Sequence, residues 1–163
     1  MVVGYSTRSY TILSTATTVC EYRSRWMIRR DMDDVLRIAG VCGSRLDERG
    51  FRSALRKAHC VGHVAATDDN TVVGYLVYHL FKSHVEIVDI GVDPSYRLRG
   101  VGRELISKLQ DRMVAGTRKK VITTVPESNM GCLLFLKACG FKAVSVLRGE
   151  FADDDGYSLE YRP

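Results

Sequence analysis

One stretch constrains this chain more than any other: Val92-Asp-Pro-Ser-Tyr-Arg-Leu-Arg-Gly-Val-Gly-Arg-Glu-Leu105. The apolar run before it (Val85, Ile87, Val88, Ile90, Val92) reads as a strand that stops at Pro94. A loop carrying Gly100 and Gly102 then feeds an amphipathic helix. Glycines at such a junction let the backbone come close to a ligand. The helix start adds unpaired N–H groups at the positive end of its dipole. The product is an anion cradle suited to a phosphate, with Arg97, Arg99 and Arg103 supplying positive charge around it.

Several nucleotide-binding loops share that outline. A Walker A loop needs Gly-x-x-x-x-Gly-Lys-Ser/Thr, and no Lys-Ser or Lys-Thr follows here. A dinucleotide fingerprint needs a third glycine where this chain has Leu105. What remains is Arg97-x-x-Gly100-x-Gly102, preceded by Val92-x-Pro94-x-Tyr96. This resembles the acetyl-CoA loop of the GNAT N-acetyltransferase superfamily, of the form Gln/Arg-x-x-Gly-x-Gly/Ala. The plainer alternative is a glycine turn between strand and helix with incidental arginines.

A length of 163 residues allows one domain with a proper core. No apolar stretch approaches a membrane span, so no membrane partner is expected. The net charge of +5 suits a protein that holds a polyanionic cofactor. It does not argue for nucleic acid, because no aromatic–basic interleaving accompanies it. The five cysteines (Cys20, Cys42, Cys60, Cys132, Cys139) are odd in number and contain no Cys-x-x-Cys pair, which points to a reducing, cytoplasmic setting. Cys132 and Cys139, seven apart on one helical face, read as small core residues.

Residues 1–25, rich in Ser, Thr and Tyr, are expected to form an N-terminal extension with one added strand around Tyr10–Leu13. A single domain is expected over 26–163. In it Met27–Arg29 reads as a short strand, and Asp31 caps a helix built on Met32, Val35, Leu36 and Ala39. A second helix runs over Asp47–Lys57. Strands Cys60–Ala66, Thr71–Leu80 and His84–Val92 form a meander, its first turn being Asp68-Asp69-Asn70. A helix from Gly100 to about Ala115, a strand over Lys120–Val125, a helix over Ser128–Cys139 and strands Lys142–Arg148 and Tyr157–Tyr161 complete the chain. The order β-α-α-β-β-β-α-β-α-β-β is that of an α/β sandwich. It also matches the GNAT fold, which implies a mixed, mostly antiparallel central sheet with splayed central strands, flanked by about four helices.

The resemblance covers about Met27 to Tyr161. Asn129 sits where the family has an Asn at a helix start, and Gly140-Phe141 matches the Gly-Phe ending that helix. The tail from Leu147 to Glu160 resembles more loosely that of the RimI-type branch, the alanine N-acetyltransferases of ribosomal proteins. These likenesses imply acetyl-CoA as cofactor. They imply that backbone N–H groups of Leu98, Arg99, Gly100, Val101, Gly102 and Arg103 hold its pyrophosphate, and that Arg97 and Asn129 also belong to the cofactor site. They further imply that the strand end Asp89-Ile90-Gly91-Val92 is splayed from its neighbour. Its free backbone groups would then pair with the pantetheine arm and polarise the acetyl carbonyl.

An acceptor amine arrives protonated, so a base is required. Glu86 is the first candidate, on the strand leading to the loop, with Ile90 and Val92 continuing its face by alternation. It also matches the general-base Glu in the Glu-Ile-Val segment of the histone-acetyltransferase branch. Asp89, on the opposite face, is the second. His79 and His84 are alternative proton relays. The chain departs from the RimI pattern at Leu136, where many relatives carry a thiolate-protonating Tyr, and at Thr124, where RimI-type enzymes carry a catalytic Glu. Two readings stay open. One is an N-acetyltransferase acting by direct transfer in a ternary complex on a protein N-terminal amine or a small amine. The other is a non-catalytic acyl-CoA sensor. Monomer and homodimer are both compatible with the sequence.

Overall fold

The computed structural model describes residues 22–114, 118–152 and 154–163. The strand expected around Tyr10–Leu13 lies outside them. Seven strands form one sheet: β1 (Tyr22–Trp26), β2 (Cys60–Thr67), β3 (Val72–Leu80), β4 (Val85–Val92), β5 (Val121–Pro126), β6 (Lys142–Phe151) and β7 (Asp154–Tyr161), in the spatial order β1-β2-β3-β4-β5-β7-β6. Four α-helices accompany them among the described residues: α1 (Met32–Cys42), α2 (Glu48–Leu55), α3 (Val101–Val114) and α4 (Met130–Ala138). All neighbouring strands run antiparallel except β4 and β5, which are parallel and joined through α3.

Local chemistry explains most element ends. Asp47 caps α2 by accepting from the Gly50 N–H at 2.7 Å. Asn129 caps α4 by accepting from the Cys132 N–H at 3.2 Å. Helix α1 ends at Gly43, whose φ of +69° is left-handed and open to glycine at little cost. The Asp68-Asp69-Asn70 turn joins β2 to β3 as expected, with Asn70 at φ +66°.

The core has two parts, one on each face of the sheet. On one face Leu76, Tyr78, Ile87, Leu105, Leu109 and Phe141 pack with α3 and α4. On the other, Val64, Tyr75 and Val77 pack with Val35 and Ile38 of α1 and Phe51 of α2. Strand β3 is buried from Val72 to His79, as befits a strand covered on both sides.

Three expectations are corrected. The first strand is Tyr22–Trp26, while Arg29–Asp31 forms a 3₁₀ turn in place of the expected Met27–Arg29 strand. Residues 22–25 of the expected extension therefore belong to the sheet. Asp31 does not cap α1; its carboxylate accepts from Arg25 at 2.6 and 2.8 Å and from the Ile28 N–H at 2.8 Å. A buried carboxylate takes the strongest donors within reach, and here those are a guanidinium fork and a turn N–H. The third correction concerns Glu86. Register runs Tyr78↔Ile87 and then Val77↔Asp89, so Val88 is the extra residue of a bulge. Strict alternation fails at that point. Glu86 pairs with His79 and Asp89 with Val77, which places both carboxylates on the α1–α2 face, while Ile90 and Val92 pack on the α3–α4 side.

Candidate active site

Strand β4 is paired with β3 along its whole length, from Leu80↔Val85 to Gly74↔Val92. Its pairing with β5 is confined to Val85↔Val121 and Glu86↔Ile122. Just beyond, the buried Thr123 hydroxyl donates to the Ile87 carbonyl at 3.3 Å and seals the narrow end. From Val88 onward the β5-facing edge of β4 has no strand partner among the described residues. The two strands thus part into a wedge, with Glu86 at its vertex and Asp89-Ile90-Gly91-Val92 along one arm. The expected splay is present.

At the open end of β4 the chain turns through Pro94–Tyr96, a 3₁₀ turn whose preceding Asp93 accepts from the Ser95 N–H at 2.9 Å. The loop then passes Leu98 at φ +58° and Gly100 at φ +89° and enters α3 at Val101. Leu98 pays the left-handed strain of a non-glycine residue, and its side chain is fully exposed. The loop is braced from outside itself. Tyr22 donates its phenol to the Arg99 carbonyl at 3.2 Å, and a Cβ at Gly100 would stand 3.2 Å from that same phenol oxygen. Arg37 of α1 holds Asp93 at 2.6 Å. Gly102 passes so close to Phe135 of α4 that a Cβ would lie 3.0 Å from its ring.

The three arginines differ in what they do. Arg97 turns back, donating through Nε to the Val92 carbonyl at 3.2 Å and through Nη2 to Cys42 Sγ at 3.4 Å. Arg99 lies 5.4 Å from the centre of the Tyr96 ring. Arg103 is exposed on the first turn of α3. Val101 is buried, and Ile90 and Val92 pack against the α3–α4 core. These positions therefore contribute backbone to the wedge, with their side chains spent on packing.

Asp89 is the most constrained polar group of the site. It accepts from Ser44 Oγ at 2.5 Å, Tyr75 Oη at 2.9 Å and the Ile90 N–H at 2.9 Å. Burial raises its carboxyl above the ordinary range, and these three hydrogen bonds oppose the rise. Burial also pushes the Tyr75 phenol up, aided by the Asp89 charge, so it stays a donor. Gly91 makes the arrangement possible, because a Cβ there would sit 2.6 Å from the Tyr75 ring. On α4, burial and the Asp89 charge push the Cys132 thiol up to about 11, which keeps it protonated and inert. Glu86 is freer: its side chain is 44% exposed, and its carboxylate lies 3.4 Å from His79 Nδ1.

Ser44 and Tyr22 escaped the sequence reading, since nothing in their spacing marks them. Leu136 is buried in the core and Thr124 lies exposed on β5, so neither offers an acid or base to the wedge. A groove of about 590 Å³ lined by Trp26, Met32, Leu55 and Arg56 lies elsewhere, against α2, and touches none of these residues. Among the described residues no cluster of His, Cys, Asp and Glu is suited to a metal, and no helix is long and apolar enough to cross a membrane.

Over residues 24–141 the sequence matches the Acetyltransferase (GNAT) family. The N-alpha-acetyltransferase RimI of Mycobacterium tuberculosis is 33% identical over 103 residues, a match covering 60% of this chain and 63% of that protein. This chain thus spans less than two thirds of that relative's length. The crystal structure of the ribosomal-protein-S18-alanine N-acetyltransferase from Escherichia coli is similar with a TM-score of 0.77 at 17% identity, over 87% of this chain and 94% of that one. Arabidopsis thaliana NAA60 in complex with acetyl-CoA is similar with a TM-score of 0.76 at 18% identity, over 88% and 100%. At such identities the likeness is one of fold. With the family match covering most of the described sheet, the chain belongs to the acetyltransferase (GNAT) family.

Proposed function

We propose that this protein transfers the acetyl group of acetyl-CoA to a primary amine, by direct attack in a ternary complex, and that the acceptor is a protein N-terminal amine. The observation that carries the reading is the parting of β4 from β5 immediately after Glu86↔Ile122, with a glycine-containing helix start at its mouth. The residues present fit acetyl-CoA. The N–H groups from Leu98 to Arg103 offer a cradle for its pyrophosphate, Arg99 and Arg103 add charge, and the unpaired edge of β4 offers strand-like hydrogen bonds to its pantetheine. When bound, acetyl-CoA supplies a thioester-activated acetyl carbon.

The rest is the work of the chain's own groups. Backbone donors along β4 polarise the acetyl carbonyl. Glu86 takes the proton of the acceptor ammonium, because it is the half-exposed carboxylate at the vertex. Asp89, with three hydrogen bonds already accepted, serves to tie β4 to Ser44 in the α1–α2 connection. No acid is assigned to the leaving thiolate; a thiol of pKa about 8.5 leaves without one. The N-terminal acceptor is supported by the RimI relative. A cytoplasmic location accords with free Cys42, Cys60, Cys132 and Cys139.

The test is coenzyme A release from acetyl-CoA against a pool of N-terminal peptides and small amines, with mass spectrometry on the acceptors. Acetylated peptide α-amines are expected. Saturable acetyl-CoA binding with no acetylated product would replace this reading with a cofactor sensor.

A further inference from the structure

His79 is the residue that the wedge geometry singles out next. It lies on β3 directly opposite Glu86, with its Nδ1 3.4 Å from Glu86 Oε2. Its side chain is 9% exposed. The His59 ring meets it edge-on at 5.0 Å, and the Phe81 ring stands perpendicular to it at 6.1 Å. Its other nitrogen, Nε2, is buried with no hydrogen-bond partner among the described residues. A sealed Nε2 carrying an N–H would leave a buried donor unsatisfied, which costs more than leaving a lone pair there. The ring is therefore neutral, with its one proton on Nδ1, facing the carboxylate.

We infer that His79 positions Glu86: its Nδ1–H anchors one carboxylate oxygen and leaves the other facing the acceptor. The inference rests on the reading of Glu86 as base. In the step itself, the acceptor ammonium gives a proton to the free Glu86 oxygen. The amine nitrogen then bonds to the acetyl carbon, the C–S bond breaks with its electron pair leaving on sulfur, and the second nitrogen proton passes to that thiolate, giving the neutral amide and a free thiol. His79 exchanges no proton. The groups around it keep it neutral: burial lowers its basicity first, and Lys57 and His59 lower it further against the opposing pull of Glu86. Cys60, its partner on β2, completes the surroundings.

An N–H aimed at a carboxylate favours the ionised form. Two near-isosteric variants isolate that contribution: His79→Asn keeps a donor where Nδ1 stood, and His79→Leu removes it. The readouts are kcat and KM with an alanine-first hexapeptide, and the ¹⁵N NMR shifts of the His79 ring. His79→Leu is expected to lower kcat by about tenfold or more with KM unchanged. His79→Asn is expected to keep kcat near wild type, and the ring shifts are expected to show the proton on Nδ1. Equal behaviour of the two variants, or a proton on Nε2, overturns the inference. If that happens while Glu86→Gln still loses activity, only the role of His79 fails. If Glu86→Gln retains wild-type kcat/KM, the base assignment itself fails. Should the hexapeptide not be acetylated, the ring shifts decide the His79 contact alone.

Discussion

Glu86 and Asp89 stand on the same face of β4 although three positions separate them, because Val88 is inserted as a bulge between the Ile87 and Asp89 pairings. The insertion turns both carboxylates toward the α1–α2 side and leaves Ile90 and Val92 to the α3–α4 core. The carboxylates then diverge in environment. Asp89 is enclosed by Ser44 and Tyr75, whereas Glu86 keeps one histidine neighbour and open water. Two acids on one strand acquire separate environments through their partners.

Glu86→Gln separates binding from chemistry. It is expected to lower kcat/KM by about 10²- to 10⁴-fold, the usual weight of a general base, with acetyl-CoA affinity unchanged by calorimetry. Full activity in this variant would exclude Glu86 from the proton transfer.

Gly100→Ala tests the cradle. The φ of +89° and the nearby Tyr22 phenol both resist a side chain, so about 1–2 kcal/mol of loop strain is expected, read as weaker acetyl-CoA binding. Gly131, on α4 with nothing within 4 Å of an added Cβ, is the control. There alanine is expected to preserve affinity and to raise the melting temperature slightly.

Asp31→Ala probes the turn between β1 and α1. Burial alone would raise the Asp31 carboxyl, but hydrogen bonds from Arg25 and the Ile28 N–H overcome it and hold the group below the usual range. A carboxyl depressed in the folded state contributes stability above its unfolded pKa and loses it as pH falls through the folded value. Removal of the buried partner is expected to cost about 3 kcal/mol at neutral pH. Urea unfolding should show the deficit shrinking under acid; an unchanged deficit at low pH would contradict the pairing.

His63 gives the molecule a second acid sensitivity. It is buried between Trp26, 4.3 Å away by ring centre, and Tyr78 at 6.0 Å. Burial, with the Arg112 charge adding to it, lowers its pKa to about 4. Between that value and the unfolded 6.5 the unfolded chain binds the extra proton, so stability falls as pH drops through this window. His63→Phe keeps the stacking and removes the proton site. From pH 7 to pH 5 its unfolding free energy is expected to fall by about 2 kcal/mol less than that of wild type. Parallel losses in the two proteins would show that His63 is not the titrating group.

Much of the fold was legible because its signals are local. The glycine loop before α3, the Asp68–Asn70 turn and the alternation of element types depend on residues within a few positions of one another. The fate of Asp31 was not legible although Arg25 is only six residues back on β1, because that pairing is set by the burial of the carboxylate in the fold.

The sequence by itself determined that a strand, a glycine loop and a helix start would follow one another, and that Glu86 and Asp89 would lie on the strand leading to the loop. Only the tertiary structure decided which way those carboxylates face and what each one touches. A bulge is a property of two paired strands, since an extra residue exists only relative to a partner that lacks it. The Ser44–Asp89 and Tyr22–Arg99 contacts likewise join segments far apart in the chain. Their energies are set by geometry and burial that no single segment contains.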